Sequence, residues 1–541
     1  MLYPTLQFAG LNPPVLVRIL VTVVVLACFG SPAPGTWRSA WYPEDWTAAF
    51  TDREGRFLHD FSYAGYRSGE VPLPDVQGPV VQTVEGFGAD ATGQKDSQPA
   101  IQAAIDAVAK RGGGVVLLPK GLFRCEGPLH VTASNTVIRG AGPEATRIFF
   151  TSVPQRGWSD HLQLRGSLRE GREVALAADA PNRAMYVEVD DADGLQKGDD
   201  VAIGWVISPE FIAEHHMTGT WASFNDRWRP FFLREIRRID RAGRPHRVYF
   251  DVPLRYAAKV RDQASIRVTT GYLRECGVES LSVANAVDWK RAWSRPGVHA
   301  ISLRDARDCW VRNVNSFESP LSEAKGYHLQ GGGIVVTTSK RITIADCRME
   351  KAQNRGGGGA GYLFHISRSN EILTRDCVAV AGRHNFIQNW DFGSTGLVWL
   401  RCVSRDGRGY ASAADPVGYA GLCEYHHSLA MACLVDSCVL DDGWFGGNRH
   451  DWSSGAGATV TQSVYWNTSG KGQIRSWQSG DGYIIGTRDI RVEISMASRF
   501  AEGTEPEDRT EGLGQGGSLE PSSLYEDQLE RRLKKHATDQ P

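Results

Sequence analysis

Ile342-Thr-Ile-Ala-Asp-Cys347 returns as Ile372-Leu-Thr-Arg-Asp-Cys377, as Leu397-Val-Trp-Leu-Arg-Cys402 and as Cys433-Leu-Val-Asp-Ser-Cys438, with a cysteine-free echo, ATVTQSV, at 458–464. The closing cysteines are 30, 25 and 36 residues apart. Each phrase is short, partly β-branched and followed by a Gly- or Asp-rich turn. One such strand cannot bury its own face, whereas stacked copies bury each other's, so the repeat predicts a solenoid. The uneven step excludes leucine-rich and ankyrin arrays and fits a coil whose turns accept insertions. Cysteines at equivalent places in successive coils are read as an inward stack of small apolar side chains rather than a disulfide framework.

Working outward, a polar and aromatic concentration spans about 325–480. After the Cys377 strand comes AGRHNFIQNWDFG, and after Gly421 comes LCEYHHSLA. After the Cys438 strand comes LDDGWFGGNRHDWSSG, and after Val464 comes YWNTSGKGQIRSWQ. KGYHLQGGG and EKAQNRGGGGAGYLFHIS precede them. A coil brings equivalent positions of neighbouring turns together in space. His384 and Tyr425 are therefore candidate proton acceptors, and Arg449 a candidate charge-neutralising group. Asp441, Asp442 and Asp451 are candidate acid/base carboxylates. Arg383, Asn385, Trp390, Glu424, His427, Trp444, His450, Trp452, Arg475 and Trp477 are candidate substrate contacts, because cations among aromatic faces suit an anionic sugar. Adjacent strand residues point to opposite sides, so only one of His426 and His427 is expected on a given face.

Upstream, FGADATGQKDSQPAIQAAIDAVAKRGGGVVLLPKGLF predicts a helix capped at Asp96 or Ser97 and running through Ile101, Ile105 and Val108. The helix stops at Gly112–Gly114 and a strand follows at Val115–Leu118. This stretch resembles the opening of the pectate-lyase-like superfamily. That resemblance implies an all-β solenoid, a single-stranded right-handed parallel β-helix with an N-terminal capping helix, over roughly 81–495. It also implies a shallow groove suited to a polymeric sugar. The superfamily holds lyases, hydrolases, epimerases and tailspikes, so the fold leaves the chemistry open. The alginate-epimerase Asp-Pro-His pattern is absent, and of the polygalacturonase-like set only an Asp-Asp, Asp441-Asp442, is present.

Residues 185–260 break the rhythm and read as a small β-rich insertion with turns near Gly194 and Gly243. Within it, an aromatic stretch carrying Glu214, His215 and His216 reads as a lid or rim. Residues 31–80 read as an extended lead-in, and 496–541 as a polar tail closed by a short amphipathic helix, SLYEDQLERRLKK. The apolar run Ile19–Phe29 is too short for a comfortable membrane span and fits a signal segment within 1–30. It is either cleaved near SPAPG, lipidated at Cys28 after Val25-Leu-Ala, or kept as an anchor. All three place the body outside the cytoplasm, secreted, periplasmic or on the outer surface.

A net charge of −2 over 541 residues gives no overall basic balance for nucleic acid. No zinc-protease, nucleophile-elbow or EF-hand pattern occurs. The metal is left unknown; calcium stays open without assigned ligands, and no cofactor is required. The expected partner is a polysaccharide, with the membrane involved only through an N-terminal lipid or signal anchor. The expected activity is β-elimination on a uronic-acid-containing glycan. The alternatives are a glycoside hydrolase using a carboxylate pair and a non-catalytic glycan-binding or adhesion protein.

Overall fold

The computed structural model describes residues 35–154, 160–221, 224–415, 418–494 and 508–538. The signal, lipid-box and anchor readings of residues 1–30 lie outside the described residues, as does the first part of the tail.

Parallel pairing at one-coil spacing dominates. The phrase repeat lies in a ladder that starts at Val80–Gln82 and Gly114–Leu117. It continues through Thr343–Ala345, Leu373–Arg375, Val398–Leu400, Leu434–Asp436 and Val464–Trp466 to Tyr483–Ile485 and Arg509–Glu511. A second ladder runs alongside through Arg348–Glu350, Val378–Val380, Val403–Arg405 and Val439–Leu440. A ten-stranded parallel sheet forms another face. It contains His299–Arg304, Gly332–Thr337, Tyr362–Ser367, His384–Gln388, Cys423–Tyr425, Trp444–Gly446, Gln473–Ser476 and Arg491–Glu493. Inward side chains of these faces form one apolar core. Each buried Leu, Ile or Val in it is worth roughly 1.5–3 kcal/mol over exposure.

The cysteine phrase owes its form to a corner. The residue before each repeated cysteine has a left-handed backbone: Asp346 (φ 56°), Asp376 (55°), Arg401 (51°) and Ser437 (55°). Short polar side chains tolerate this region best. The corner swings the cysteine inward, and its thiol donates to the carbonyl two residues back, at 3.1 Å for Cys347 and 3.2 Å for Cys377. All nine described cysteines are free and buried. The ATVTQSV echo is out of register: the rung following Leu434–Asp436 is Val464–Trp466, not 458–464.

The 98–110 helix forms as expected and lays Ile101, Ala104, Ile105 and Val108 on the core. Asp96 accepts the Gln98 N–H (2.9 Å). In the preceding FGADATG, the Thr92 hydroxyl and the N–H groups of Lys95, Thr92 and Gln94 bond Asp90, holding its carboxyl down at about 2. Gly114 follows the helix where a Cβ would lie 2.4 Å from the Pro79 carbonyl.

The insertion is an antiparallel six-stranded sheet from Arg169–Ala175 to Ser265–Thr270, wider at both ends than 185–260. Charges join it to the coils. Asp200 takes Lys340 at 2.8 Å, and Arg341 takes Asp251 and Asp308 at 2.8 and 2.7 Å. Arg255 takes Glu371 at 2.8 Å. The aromatic stretch is a fixed wall: Trp221 donates to the Ala456 carbonyl (2.9 Å), and Phe224 packs on Trp390 and His427. Its Glu214 pairs outward with Lys259 and Arg261, while His215 is buried against Tyr256.

Residues 37–70 form a strap over the outside of the phrase ladder. Tyr42, Trp46, Leu58 and Phe61 pack with Leu373, Val398, Leu434 and Trp466 and with Leu524 and Tyr525 of the final helix, Leu524–Thr538. Tyr42 donates to Asp527 (2.6 Å), and Gln528 joins the His59 carbonyl and the Phe61 N–H.

Candidate active site

The ten-stranded ladder carries an outward row set by its register. Val335 pairs with His365, His365 with Ile387, Ile387 with Glu424, Glu424 with Phe445 and Phe445 with Arg475. Glu424 therefore faces out between two inward neighbours, Cys423 and Tyr425. Tyr362 and His384 are also register partners, with rings 5.4 Å apart. Sequence-distant groups converge here as a consequence of coil stacking.

Glu424 is the hub. Its Oε1 meets Arg449 at 2.8 Å, and its Oε2 lies 2.8 Å from His426 Nδ1 and 3.3 Å from His384 Nε2. His384 Nδ1 donates to the Leu422 carbonyl (2.6 Å). Arg449 also contacts His426 Nδ1 and donates to its carbonyl (3.0 Å), and His426 Nε2 reaches Ser453 Oγ (3.3 Å). Burial pushes the Glu424 carboxyl up, but His426, Arg449 and His384 together pull it well below the usual carboxylate range. Burial pushes His384 down to about 3, with Arg383 and His426 adding to the shift, and it also lowers His426. The centre is thus an ionised carboxylate beside neutral imidazoles. Among the described residues, the ligand atoms of His384, Glu424 and His426 lie within 4.8 Å of one another.

Two hollows open on either side of the His384–His426 pair. One, of about 240 Å³, is lined by His384, Glu424, Phe445, Arg449, Trp452 and Arg475 among others. The other, of about 710 Å³, includes Arg304, Tyr362, His365, Arg368, Arg383 and Trp390, together with His426 and His427. Five arginines and four histidines line the two, against one carboxylate, Glu424. Trp452 and Trp390 are 48% and 41% exposed, one in each hollow, and Trp390 packs on His427. His427 is held by Ser428 and the Ser453 carbonyl, and burial takes it down to about 3.

Several expected residues lie elsewhere. Tyr425 and Trp444 point inward and pack with Trp399 and Tyr465 in the core, because strand alternation puts them opposite Glu424 and Phe445. Asn385 and Asp442 bond each other (2.8 Å), and Asp442 also takes Ser404 Oγ and the Gly407 N–H, so both tie turns together. Asp441 meets Arg405 and the Lys471 N–H. Asp451 is exposed ahead of the 452–455 turn and lines neither hollow. His450 sits in the preceding turn, its N–H bonded to Asn448. Trp477 is buried beneath Phe445 and Arg475.

Sequence reading missed Tyr362 and a relay behind it. Asp160 lies 3.1 Å from His299 Nδ1, and His299 Nε2 lies 3.3 Å from His365 Nδ1. The carboxylate fixes the tautomers in turn, so His365 Nε2 carries the lone pair. Burial, His299 and Arg304 hold His365 well below its ordinary value. The relay needs Gly332, whose Cβ would lie 2.3 Å from the His299 ring. That glycine in KGYHLQGGG was the one available signal.

Residues 81–170 match the family model described as rhamnogalacturonase A/epimerase, pectate lyase-like. The chain carries a pectate-lyase-like segment. Alginate lyase 7 of Azotobacter vinelandii is 41% identical over 85 residues, which is 15% of this chain and 10% of that protein. Mannuronan C5-epimerase AlgE1 of the same organism is 52% identical over 46 residues, 8% of this chain and 3% of the relative. The chain thus spans a tenth or less of these curated relatives. Among solved structures, the Gp54 tailspike of Acinetobacter baumannii bacteriophage AP22, in complex with a capsular saccharide, has a TM-score of 0.44 at 11% identity. The match covers 86% of this chain and 72% of that one. Iota-carrageenase complexed to iota-carrageenan fragments has a TM-score of 0.30 at 11% identity, covering 81% and 61%. The pectate-lyase-like segment ends before His384, so it carries no assignment for the Glu424 cluster.

Proposed function

We propose that this chain is a right-handed parallel β-helix, closed at its N-terminal end by the 98–110 helix, that cleaves an acidic polysaccharide by β-elimination. The observation that carries this is the lining of the two hollows: five arginines and a single carboxylate in a chain of net charge −2. Arg304, Arg449 and Arg475 are paired with Asp160, Glu424 and Glu493, so Arg368 and Arg383 are the cations left to neutralise uronate groups, and the half-exposed Trp390 and Trp452 flank the cluster where sugar rings would lie. Neutralising the carboxylate acidifies the C5 proton. A neutral imidazole takes that proton, and the electron pair left behind becomes the C4–C5 double bond. The C4–O bond breaks and the leaving oxygen recovers the proton from the imidazolium. His365, His384 and His426 are all neutral and all at the groove.

Hydrolysis needs two carboxyl groups flanking the scissile bond. Asp441, Asp442 and Asp451 line neither hollow, so the cluster does not favour that reading. The short apolar run at 19–29 supports action outside the cytoplasm.

The test is incubation with a panel of uronate-containing and neutral polysaccharides, following new reducing ends together with the ultraviolet absorbance of the unsaturated product. Both signals should rise together on an acidic polymer. Reducing ends without that absorbance would sink elimination, and binding without either signal would leave a glycan-binding protein.

A further inference from the structure

One acceptor beside Glu424, on His384, has no donor. A backbone carbonyl only accepts, so His384 Nδ1, at 2.6 Å from Leu422 O, must carry the proton. The Nε2 of neutral His384 is then a lone pair. That atom is buried without a hydrogen-bond partner and lies 3.3 Å from Glu424 Oε2. In the tautomer whose Nε2–H donates to Ser453 Oγ (3.3 Å), His426 Nδ1, which Arg449 also contacts, is a lone pair too. It lies 2.8 Å from the same Oε2. In that tautomer three acceptors face one point, and a cation there replaces the His426 Nδ1 proton that otherwise bonds Glu424.

We infer that His384 Nε2, His426 Nδ1 and Glu424 Oε2 form a site for one divalent transition-metal ion, with zinc as the best fit. Around zinc, ligands at about 2.0–2.2 Å and tetrahedral angles stand roughly 3.4 Å apart. The observed 3.3 and 2.8 Å are near that spacing, slightly drawn in. Two imidazoles and one carboxylate suit zinc, iron or cobalt and disfavour calcium, which prefers an all-oxygen shell. The donor set therefore argues against the calcium left open by the sequence.

Supporting contacts hold the ligands in place: Leu422 O fixes His384, Ser453 Oγ meets His426 Nε2, and Arg449 holds the second carboxylate oxygen. His384 and Glu424 line one hollow and His426 the other, so the remaining coordination positions face the groove. There the ion would polarise an anionic group of the bound sugar. With two imidazoles committed as ligands, His365, backed by His299 and Asp160, becomes the proton acceptor. The metal site itself rests on the geometry around Glu424 and not on which polymer is cut. Arg449 must leave Nδ1 when the ion binds and is therefore its competitor.

The full chain, stripped with a chelator and dialysed, should take up one equivalent of Zn²⁺. Co²⁺ in its place should give the visible ligand-field bands of a low-coordinate site. His384→Ala and His426→Ala should each weaken binding by more than the roughly 10–100-fold that loss of an outer-shell partner brings. Arg449→Met should tighten it. If folded wild-type protein takes up no stoichiometric Zn²⁺ or Co²⁺, the site is refuted. Uptake unchanged in both histidine variants, or calcium displacing zinc, refutes it equally. Should the histidine variants misfold, the cobalt spectrum of the wild type decides alone. A metal-loaded protein inactive on every glycan would overturn the elimination reading and leave the site standing.

Discussion

Acidification from pH 7 to 5 should destabilise this fold steeply, through histidines buried in the neutral form. Burial takes His59, His384 and His427 down to about 3 and His161 to about 4. In the unfolded chain each returns to about 6.5. Below that value the unfolded state binds protons that the folded state refuses, so stability falls as pH falls, until the folded values are reached. At pH 5 each histidine costs about 2 kcal/mol, and the four together about 8, while Asp436 and Asp508, pushed up to about 6 by burial, give back about 1 kcal/mol each, leaving a loss on the order of 6 kcal/mol. Total stabilities are typically about 5–15 kcal/mol, so the loss is large enough to see. The carboxylates held down by partners, Glu424 and Asp160, contribute in the same direction only at lower pH. The assay is urea unfolding followed by tryptophan fluorescence at pH 7, 6 and 5, with the midpoint dropping at each step. His59→Gln lies in the strap, away from the groove, and should recover about 2 kcal/mol of the acid loss. A midpoint that stays level from pH 7 to 5 would refute the reasoning, as would an acid loss identical in His59→Gln.

Other outcomes follow from the same geometry. Tyr425→Phe should leave activity at the wild-type level, because that ring faces the core; a large fall in kcat would return it to the site. Gly332→Ala should push His299 off His365 and lower kcat/KM on the order of 100-fold with the fold intact by circular dichroism. Trp452→Ala and Trp390→Ala should each raise KM with little change in kcat, measured on the polymer that gives the unsaturated product. Lys340→Met removes one of three cations on buried Asp200, with Arg274 and Arg307 remaining, and should cost about 1.5–3 kcal/mol, read as earlier thermal unfolding and faster proteolysis of the insertion sheet.

The stack of parallel strands was legible because its signal is local: a β-branched phrase, a left-handed corner and a cysteine. So was the helix before Gly112, since its caps and apolar stripe are contiguous. The site was legible in outline. Stacking brought His384, Glu424 and Arg449 together as the coil spacing implied, with Arg475 and Trp452 in the same hollow. Side-chain direction was not legible. A strand of three residues such as Cys423–Tyr425 presents only its middle member outward, and corners shift which member that is. This sent Tyr425 inward and left Tyr362 unnoticed. Asp441 and Asp442 illustrate the other difficulty, because a turn selects Asp for its acceptor oxygens as readily as a reaction does. The Asp160–His299–His365 relay spans more than 200 residues and only the register of the ladder reveals it.

The strap at 37–70 has a consequence for synthesis. Its partners in the final helix lie 461–485 residues further along the chain. At ribosomal rates of about 5–20 residues per second, the strap emerges roughly 25–90 s before those partners exist. Its tryptophans and tyrosines must stay soluble for that interval, and the coils must assemble with one flank uncovered. The earliest described part of the chain to be made is thus among the last to dock, and completing the last helix seals the flank.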